Sequence, residues 1–276
     1  MKQSTLLWIT AILVTVFTAY FQRVTGPTYP LRGKVTLNGR TISFSLDRSH
    51  AGPSDAQVTL NTEDAGIQGA LSWKRHNTND PWTRVPMKFE DGFLVAELPH
   101  QPMAGKLVYK IELEEAGHRV SIPEGNPVVI RFRGETPLAV LIPHVLAMFG
   151  AMLLSTRTGL EYFCREPKFK NLTFWTLGFL FVGGFIFGPL MQYYAFNTWW
   201  TGWPFGTDLT DSKTAFAFIA WVIAAIALFK SKNPKRWVLS AAVLLLVVYL
   251  IPHSVLGSEL DYKELEKQPV TVQPTQ

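Results

Sequence analysis

The sequence is poor in charge and nearly free of cysteine. Only 17% of its 276 residues are Asp, Glu, Lys or Arg, well below the roughly 25% that is usual in soluble globular domains. A single cysteine, Cys164, excludes a disulfide framework. The sequence also contains no P-loop, no dinucleotide-binding fingerprint and no Cys-x-x-Cys-His or His-Glu-x-x-His motif. These absences disfavour an ordinary soluble enzyme.

Apolar residues make up 47% of the chain and are concentrated in five runs. A bilayer core about 30 Å thick needs roughly 17–25 apolar residues in a helix, and inside hydrocarbon every backbone polar group must pair within its own segment. Residues 1–22 are therefore predicted to form an uncleaved anchor helix, because the end of the run offers no small-residue cleavage pattern. The alternative is a cleaved signal peptide, for which Lys2 supplies a basic start. Four further spans are predicted at about 137–155, 172–196, 212–230 and 236–253.

The basic residues predict how these spans are oriented. The segments 156–171 and 230–236 each carry four Lys or Arg residues, whereas 197–213 carries Lys213 alone. Basic loops remain in the cytoplasm, so the N-terminus is predicted inside, and residues 23–136, 197–213 and the polar tail 257–276 outside. The predicted location is a bacterial inner membrane, with the tail poorly ordered from Tyr262 onward. The net charge of +5 is then explained mostly by the basic residues of the cytoplasmic loops. No nucleic-acid partner is expected.

Residues 23–136 have the pattern of a β-domain. Short alternating runs are separated by turn dipeptides such as Asn38-Gly39 and Asp91-Gly92, which favour tight hairpins. Ile42, Phe44 and Leu46 share one face of their run. The predicted strands are 34–37, 41–46, 57–61, 69–75, 85–89, 93–97, 106–114 and 128–132.

This domain resembles fibronectin type III and immunoglobulin-like sandwiches. The resemblance implies a fold only, with Trp73 in the core of a middle strand and Tyr109 at the position of a tyrosine corner. The predicted fold class is therefore an integral membrane α-helical protein of five spans with an inserted periplasmic all-β sandwich, which is an α+β multidomain protein.

Two histidines are predicted at the outer ends of spans. His144 follows Pro143 in the second span, and His253 follows Pro252 in the fifth. Ionisable residues at membrane depth are often functional, and these two could ligate a b-type haem or a divalent metal. Metal binding would add carboxylates from the same predicted face: Asp208, Asp211 and Glu259. The alternative is that each histidine bonds an interfacial carbonyl that a proline leaves without its N–H donor.

The outer loop before the fourth span combines aromatic and charged residues. Asp211 is predicted to cap the following helix, because a carboxylate suits a helix N-terminus, and Lys213 is placed to pair with one of the two aspartates. The cluster of Trp199, Trp200 and Trp203 is interpreted as an interfacial belt or, alternatively, as a binding wall. The predicted ligand or interaction surface is completed by these residues: Asp208, Asp211, Lys213, Ser254 and Asp261.

Three segments carry a resemblance to a family of proteins. Residues 202–213, 251–262 and 127–134 resemble segments of an uncharacterised family of bacterial multi-pass membrane proteins; the first two read Gly-Trp-Pro-Phe-Gly-x-Asp-Leu-Thr-Asp-x-Lys and Ile-Pro-His-Ser-x-x-Gly-Ser-Glu-x-Asp-Tyr. The resemblance implies a bacterial envelope protein and transfers no catalytic residue.

Three functions are compatible with these features. The first is a non-enzymatic envelope subunit or docking module, whose partners are the bilayer and a membrane or periplasmic protein. The second is a redox or metal protein that uses His144 and His253. The third is a transport-related protein with an outer-face proton or solute site. The third, fourth and fifth predicted spans carry no ionisable residue near their middle, where a transport pathway would need one. This argues against transport.

Overall fold

The structure, a computed structural model, describes residues 3–252, 257 and 259–267. The chain divides into two compact units. The helical unit comprises the described residues 3–27, 135–252 and 257. The β unit comprises residues 28–134 together with 259–267. Apolar helices and β-sheets are thus both present, as the sequence predicts.

The β unit contains eleven strands within the described residues. They are β1 Leu31–Leu37, β2 Arg40–Leu46, β3 Ser49–Ala51, β4 Ala56–Asn61, β5 Gln68–Arg75, β6 Thr83–Pro86, β7 Lys88–Glu90, β8 Phe93–Leu98, β9 Lys106–Glu115, β10 His118–Ile122 and β11 Val128–Arg133. The largest sheet has the order β3-β11-β9-β5-β6, with β10 also paired to β9; a second sheet is β4-β8-β7, and β1 pairs with β2. The pairing of β3 with β11 is parallel.

Side chains from all three sheets share one hydrophobic core. In β9, Leu107, Tyr109, Ile111 and Leu113 are fully buried while the intervening residues are half-buried. The period of two that the sequence shows therefore matches the buried face of this strand.

Two expectations for the β unit are wrong in detail. The predicted strand 85–89 is divided at Met87, because β6 and β7 belong to different sheets. The Tyr109 hydroxyl donates to the Asp47 carbonyl at 2.7 Å, whereas a tyrosine corner bonds a backbone group only a few residues upstream. Trp73 packs against the core while staying half-buried.

The helical unit contains four helices that are long and apolar enough to span a membrane: Gln3–Thr25, Leu138–Phe163, Phe169–Phe196 and Leu209–Lys230. They correspond to α1 Gln3–Thr25, α2 Leu138–Leu160 with a short 3₁₀ turn, α3 Phe169–Phe181 continued through a π-helical segment into α4 Gly188–Phe196, and α5 Leu209–Lys230. The fifth predicted span forms α6 Pro234–Leu250, a helix of 17 residues. Within the described residues, this helix is not among those that reach spanning length.

The first helix packs against the rest of the helical unit. Ala11, Thr15 and Thr18 are buried on one face of α1. Near its end, the Gln22 side chain donates to the Tyr249 carbonyl at 3.2 Å. These small and weakly polar residues allow close helix contact.

One basic residue predicted to lie in a loop is part of a helix. Arg157 lies in the last turn of α2 and is only 5% exposed. Its guanidinium is 2.6 Å from the Glu161 carboxylate and 5.4 Å from the Trp8 ring centroid. The pair follows the (i, i+4) spacing that joins opposite charges on a helix, so Arg157 is neutralised inside the unit.

The tail predicted to be poorly ordered is structured at its start. Residues 262–267 form the short helix α7, Tyr262–Lys267, and Tyr262 is 4% exposed. Asp261 accepts the Lys263 amide at 2.9 Å and begins this helix as a cap. The prediction of disorder is therefore wrong for residues 262–267.

Candidate functional site

The loop between α4 and α5, residues 197–208, is held in a compact turn. The Gly202 carbonyl accepts the Phe205 and Gly206 amides at 3.0 and 2.9 Å, and the Asp208 amide donates to the Thr201 carbonyl at 2.9 Å. A Cβ atom on Gly202 would overlap Asp211, and one on Gly206 would overlap the Thr201 carbonyl. The two glycines of the Gly-Trp-Pro-Phe-Gly segment are thus required by close backbone approach.

The two aspartates have separate local roles. Asp208 is the N-cap of α5, since its carboxylate accepts the Thr210 amide at 2.8 Å. The half-buried Asp211 accepts the Thr201 and Gly202 amides at 2.8 and 3.1 Å and so fixes the loop onto the helix. The prediction that Asp211 is the cap is therefore wrong, because the loop returns over the first turn of α5 and occupies its carboxylate.

Lys213 is a buried cation that contacts the end of α6. It is 5% exposed, and its ammonium donates to the Ile251 carbonyl at 2.7 Å. The Pro252 carbonyl lies 3.5 Å away. Carbonyls at a helix C-terminus have no intrahelical partner and carry partial negative charge, so a lysine there satisfies them. The hydrogen-bond acceptor found for Lys213 is this helix end, and the Asp208 carboxylate also attracts its charge.

The three tryptophans of the loop differ in their surroundings. Trp200 donates from its indole nitrogen to the Gly202 and Trp203 carbonyls and stacks on Phe185. Trp199 stacks on Tyr193 with ring centroids 4.6 Å apart and remains 56% exposed. Trp203 is 52% exposed and Phe205 is 85% exposed. A loop with a bonded backbone thus presents exposed aromatic rings, which fits either a bilayer interface or a partner surface.

His144 bonds a carbonyl of the neighbouring helix. Its Nδ1 lies 3.0 Å from the Gly183 carbonyl, which also accepts the Gly188 amide. Gly183 and Gly188 are five residues apart, which is the spacing of a π-helix, and the π-helical segment covers Val182–Phe187. Pro189, which follows, cannot donate to a carbonyl in an α-helical turn.

The π-helical segment is closely packed on two sides. A Cβ atom on Gly183 would meet Met148 of α2, and one on Gly184 would meet Thr214 of α5. When Nδ1 of His144 donates, its Nε2 keeps a lone pair, and metal-ligating histidines commonly have this arrangement. The contact also satisfies the alternative interpretation, in which the histidine simply bonds a carbonyl.

The predicted metal ligands are not assembled in the part of the chain that the structure describes. His253 and Ser254 lie outside the described residues. No group of three His, Cys, Asp or Glu side chains among the described residues could hold a metal ion. Asp208 and Asp211 bind backbone amides of the helical unit, while Glu259 and Asp261 belong to the β unit.

Glu259 is bound by three side chains of the β unit. His76 Nδ1, Lys106 Nζ and Asn77 Nδ2 lie 2.7, 2.8 and 3.0 Å from its carboxylate. Partial burial opposes ionisation, but hydrogen bonds from Lys106 and His76 prevail and lower the pKa of Glu259. Sequence reasoning missed His76, Asn77 and Lys106, because nothing local links them to a residue so distant in the chain.

Comparison with known proteins adds no assignment. No protein-family model matches the chain, and no curated protein matches it either. The class of protein is therefore defined by the structure alone: a set of long apolar helices combined with a separate β unit that has its own core.

Proposed function

We propose that the chain is a bacterial inner-membrane protein with five spans, whose β unit is a docking module for a protein partner outside the cytoplasm. The observation that carries the proposal is the pairing of four spanning-length helices with a β unit whose core is complete in itself. The resemblance to bacterial multi-pass membrane proteins supports the same location. Sandwich-like folds serve many binding roles, so the partner must be found by experiment.

A fifth span is supported by the position of α6. This helix is about 26 Å long at 1.5 Å per residue, which a bilayer core of about 30 Å accommodates with modest thinning. Its apolar residues Leu245 and Val248 are buried in the same core as Trp221 of α5. Five spans place the N-terminus and the segment that follows α6 on opposite sides of the membrane.

The single cysteine allows a direct test of orientation. Cys164 is free and half-exposed between α2 and α3. Burial raises the pKa of its thiol, so labelling is best done at mildly alkaline pH. In sealed spheroplasts, an impermeant maleimide should leave Cys164 unlabelled until the membrane is permeabilised.

The matched control moves the thiol to the other side. In a Cys164→Ser background, Phe205→Cys places a thiol at a position that is 85% exposed. We expect it to react without permeabilisation. Labelling of Cys164 in sealed spheroplasts, together with protection of the cysteine at 205, would reverse the proposed orientation and remove the docking module from the periplasm.

The docking role predicts a partner at a defined surface. A groove of about 560 Å³ on the largest sheet is bordered by Arg84, Arg119, Glu112 and Glu114. Charges of both signs at a surface groove favour recognition of a complementary protein surface. A photo-crosslinker at Gln68, in this groove, should give one discrete adduct in cells. The same group at Glu97, on the β4-β8-β7 sheet, should not.

Charge reversal distinguishes docking from chance proximity. Arg119→Glu should remove the adduct formed from position 68 and reduce co-purification of the same protein. Arg119 is exposed, so this change should leave the fold intact. Equal adducts from positions 68 and 97, or none from either, would reject this groove as the docking surface.

A second candidate function is haem binding through His144. The observation in its favour is the Nδ1 contact with the Gly183 carbonyl. A histidine that ligates a metal through Nε2 commonly donates its other ring N–H to such a carbonyl. A Soret band in the purified protein that His144→Ala abolishes would support haem. Absence of the band in protein made with sufficient haem would reject haem binding and leave docking as the only proposed function.

A further inference from the structure

The C-terminal segment, residues 259–267, lies in a cleft of the β unit that we call the acceptor cleft. The segment begins with Glu259, whose carboxylate is bound by side chains of the turn after β5 and of β9. The acceptor cleft is formed by six residues: Arg75, His76, Asn77, Gln101, Gly105 and Lys106.

The centre of the segment is anchored by Tyr262. Its hydroxyl accepts the Lys106 amide at 3.0 Å and lies 3.1 Å from both the Gln101 side-chain oxygen and the Lys106 carbonyl. A Cβ atom on Gly105 would lie 2.9 Å from this hydroxyl, so the glycine makes room for it. Burial is the main cause that raises the pKa of Tyr262 to about 12, which keeps the hydroxyl protonated.

The end of the segment is held by charge. The Arg75 guanidinium is 2.6 Å from the Glu266 carboxylate and 5.1 Å from the Tyr262 ring centroid. Asp80 orients the same guanidinium by accepting from its Nε at 2.6 Å and from its Nη2 at 3.1 Å. Arg75 thus combines an ion pair with a cation–π contact, which a guanidinium makes well.

The segment resembles a bound peptide more than a part of the β unit core. Helices α2 to α6 separate it in sequence from β11. Among the described residues, no member of the segment joins a sheet or the hydrophobic core of this unit. Its backbone is linked to the cleft through the Leu260 amide and the Ala104 carbonyl, 3.2 Å apart.

The fit is specific in charge but incomplete in volume. Arg75, His76 and Lys106 face an acidic segment, which carries four carboxylates and two lysines. A groove of about 290 Å³, partly open to solvent, lies between the segment and the turn His76–Thr78. The segment therefore covers only part of the surface of this turn.

We infer that the acceptor cleft is a recognition site for acidic peptides with the pattern acid-x-x-Tyr-x-x-x-acid, and that the chain's own C-terminal segment occupies it. A partner segment of this chemistry would have to displace residues 259–267 before binding. An intramolecular ligand at millimolar effective concentration can keep such a site closed even when its contacts are few. This inference concerns the β unit alone and holds for either orientation of the membrane spans.

The test is binding of the segment as a separate peptide. The probe is a fluorescent peptide of residues 259–267, and binding is followed by anisotropy. The receptors are the intact chain, a chain ending at residue 258, and a full-length chain carrying Glu259→Gln and Tyr262→Ala. We expect both vacated forms to bind the probe at least ten-fold more tightly than the intact chain.

Variants of the probe and the cleft test specificity. Tyr262→Ala in the probe should weaken binding at least ten-fold, whereas Leu265→Ala, at a position that is 43% exposed in the segment, should not change it. Lys106→Glu in the vacated full-length chain should abolish binding. No saturable binding to either vacated form up to about 5 mM probe, the effective-concentration range, would overturn the inference. Equal binding to the intact and vacated chains would do so too.

Discussion

At the scale of single residues, polar side chains at the start of α5 stabilise the helix ends and the loop around them. Asp208 satisfies amides at the start of α5, Asp211 holds the loop, and Lys213 satisfies carbonyls at the end of α6. Helix ends leave unpaired backbone groups that must find partners when water is scarce. The unusual polar residues near this end of the helices are explained by that requirement.

Replacement of Lys213 should destabilise the helical unit. Lys213→Ala leaves the partly buried Ile251 carbonyl without its donor at 2.7 Å, and loss of one partner from a buried pair costs about 1–3 kcal/mol, so a cost toward the lower end is expected. The measurement is SDS-induced unfolding followed by helical circular dichroism. Lys230→Ala, at the exposed end of α5, is the matched control and should change little. Equal unfolding curves for both variants would contradict the role of Lys213.

At the scale of elements, the three tight hairpins share one backbone conformation. Asn38, Asp91 and Ala116 have φ values of 47°, 48° and 48°, and each precedes a glycine with positive φ. This is the two-residue turn that matches the twist of antiparallel strands. Asn and Asp tolerate the left-handed region, whereas alanine does not favour it.

The hairpin between β9 and β10 can therefore be improved. Ala116→Asn should stabilise the β unit by about 1 kcal/mol, because it relieves the strain of a Cβ-bearing residue in the left-handed region. The readout is the urea dependence of hydrogen exchange in β9 and β10. Ala65→Asn, at an exposed position outside the positive-φ set, should be neutral. Protection that is unchanged or lower in the Ala116 variant would contradict the prediction.

The sequence predicted elements where a local pattern decides the structure. The alternation in β9 and the length of four of the five apolar runs are such patterns, and the structure matches them. The division at Met87 depends on which sheet each half joins, and the cap of α5 depends on how the loop returns. The π-helical segment depends on packing against Met148 and Thr214. None of these contacts is local, so no pattern in the sequence announces them.

The docked C-terminal segment could be predicted only in part from the sequence. Asp261 and Glu264 have the spacing of a helix start, Asp-x-x-Glu, which favours a short helix after residue 261. That signal could have excluded disorder for α7. The cleft that receives Tyr262 could not be predicted, because its residues come from three separate segments of the β unit.

At the scale of the whole molecule, docking of the C-terminal segment should depend on pH. His76 and Lys106 stabilise the charged carboxylate, so the pKa of Glu259 is lower in the docked than in the released segment. A carboxyl with this shift stabilises the docked state above its released pKa, and the contribution is lost as pH falls through the lower, docked value. Docking should therefore weaken below about pH 4.3, the ordinary glutamate value.

Hydrogen exchange at the Lys106 amide measures this effect, since that amide donates to Tyr262. After correction for the intrinsic pH dependence of exchange, protection should fall as pH is lowered in the parent chain. Glu259→Gln should show weaker protection that changes less over the same range, because the Arg75–Glu266 pair remains. Parallel profiles for the two proteins would exclude Glu259 as the titrating group.

The return of the C-terminal segment to the β unit also changes the topology of the chain. Residues 135–257 leave the β unit after β11, and the chain comes back to that unit at Glu259. While the segment is docked, the intervening helices form a closed loop, much as a cross-link would make them. A covalent link that closes a loop of 100 residues removes roughly 4–5 kcal/mol of unfolded-state entropy. Docking of Tyr262 in the acceptor cleft therefore lowers the conformational entropy of the unfolded helices without a disulfide. The stabilisation that results is at most equal to the free energy of docking.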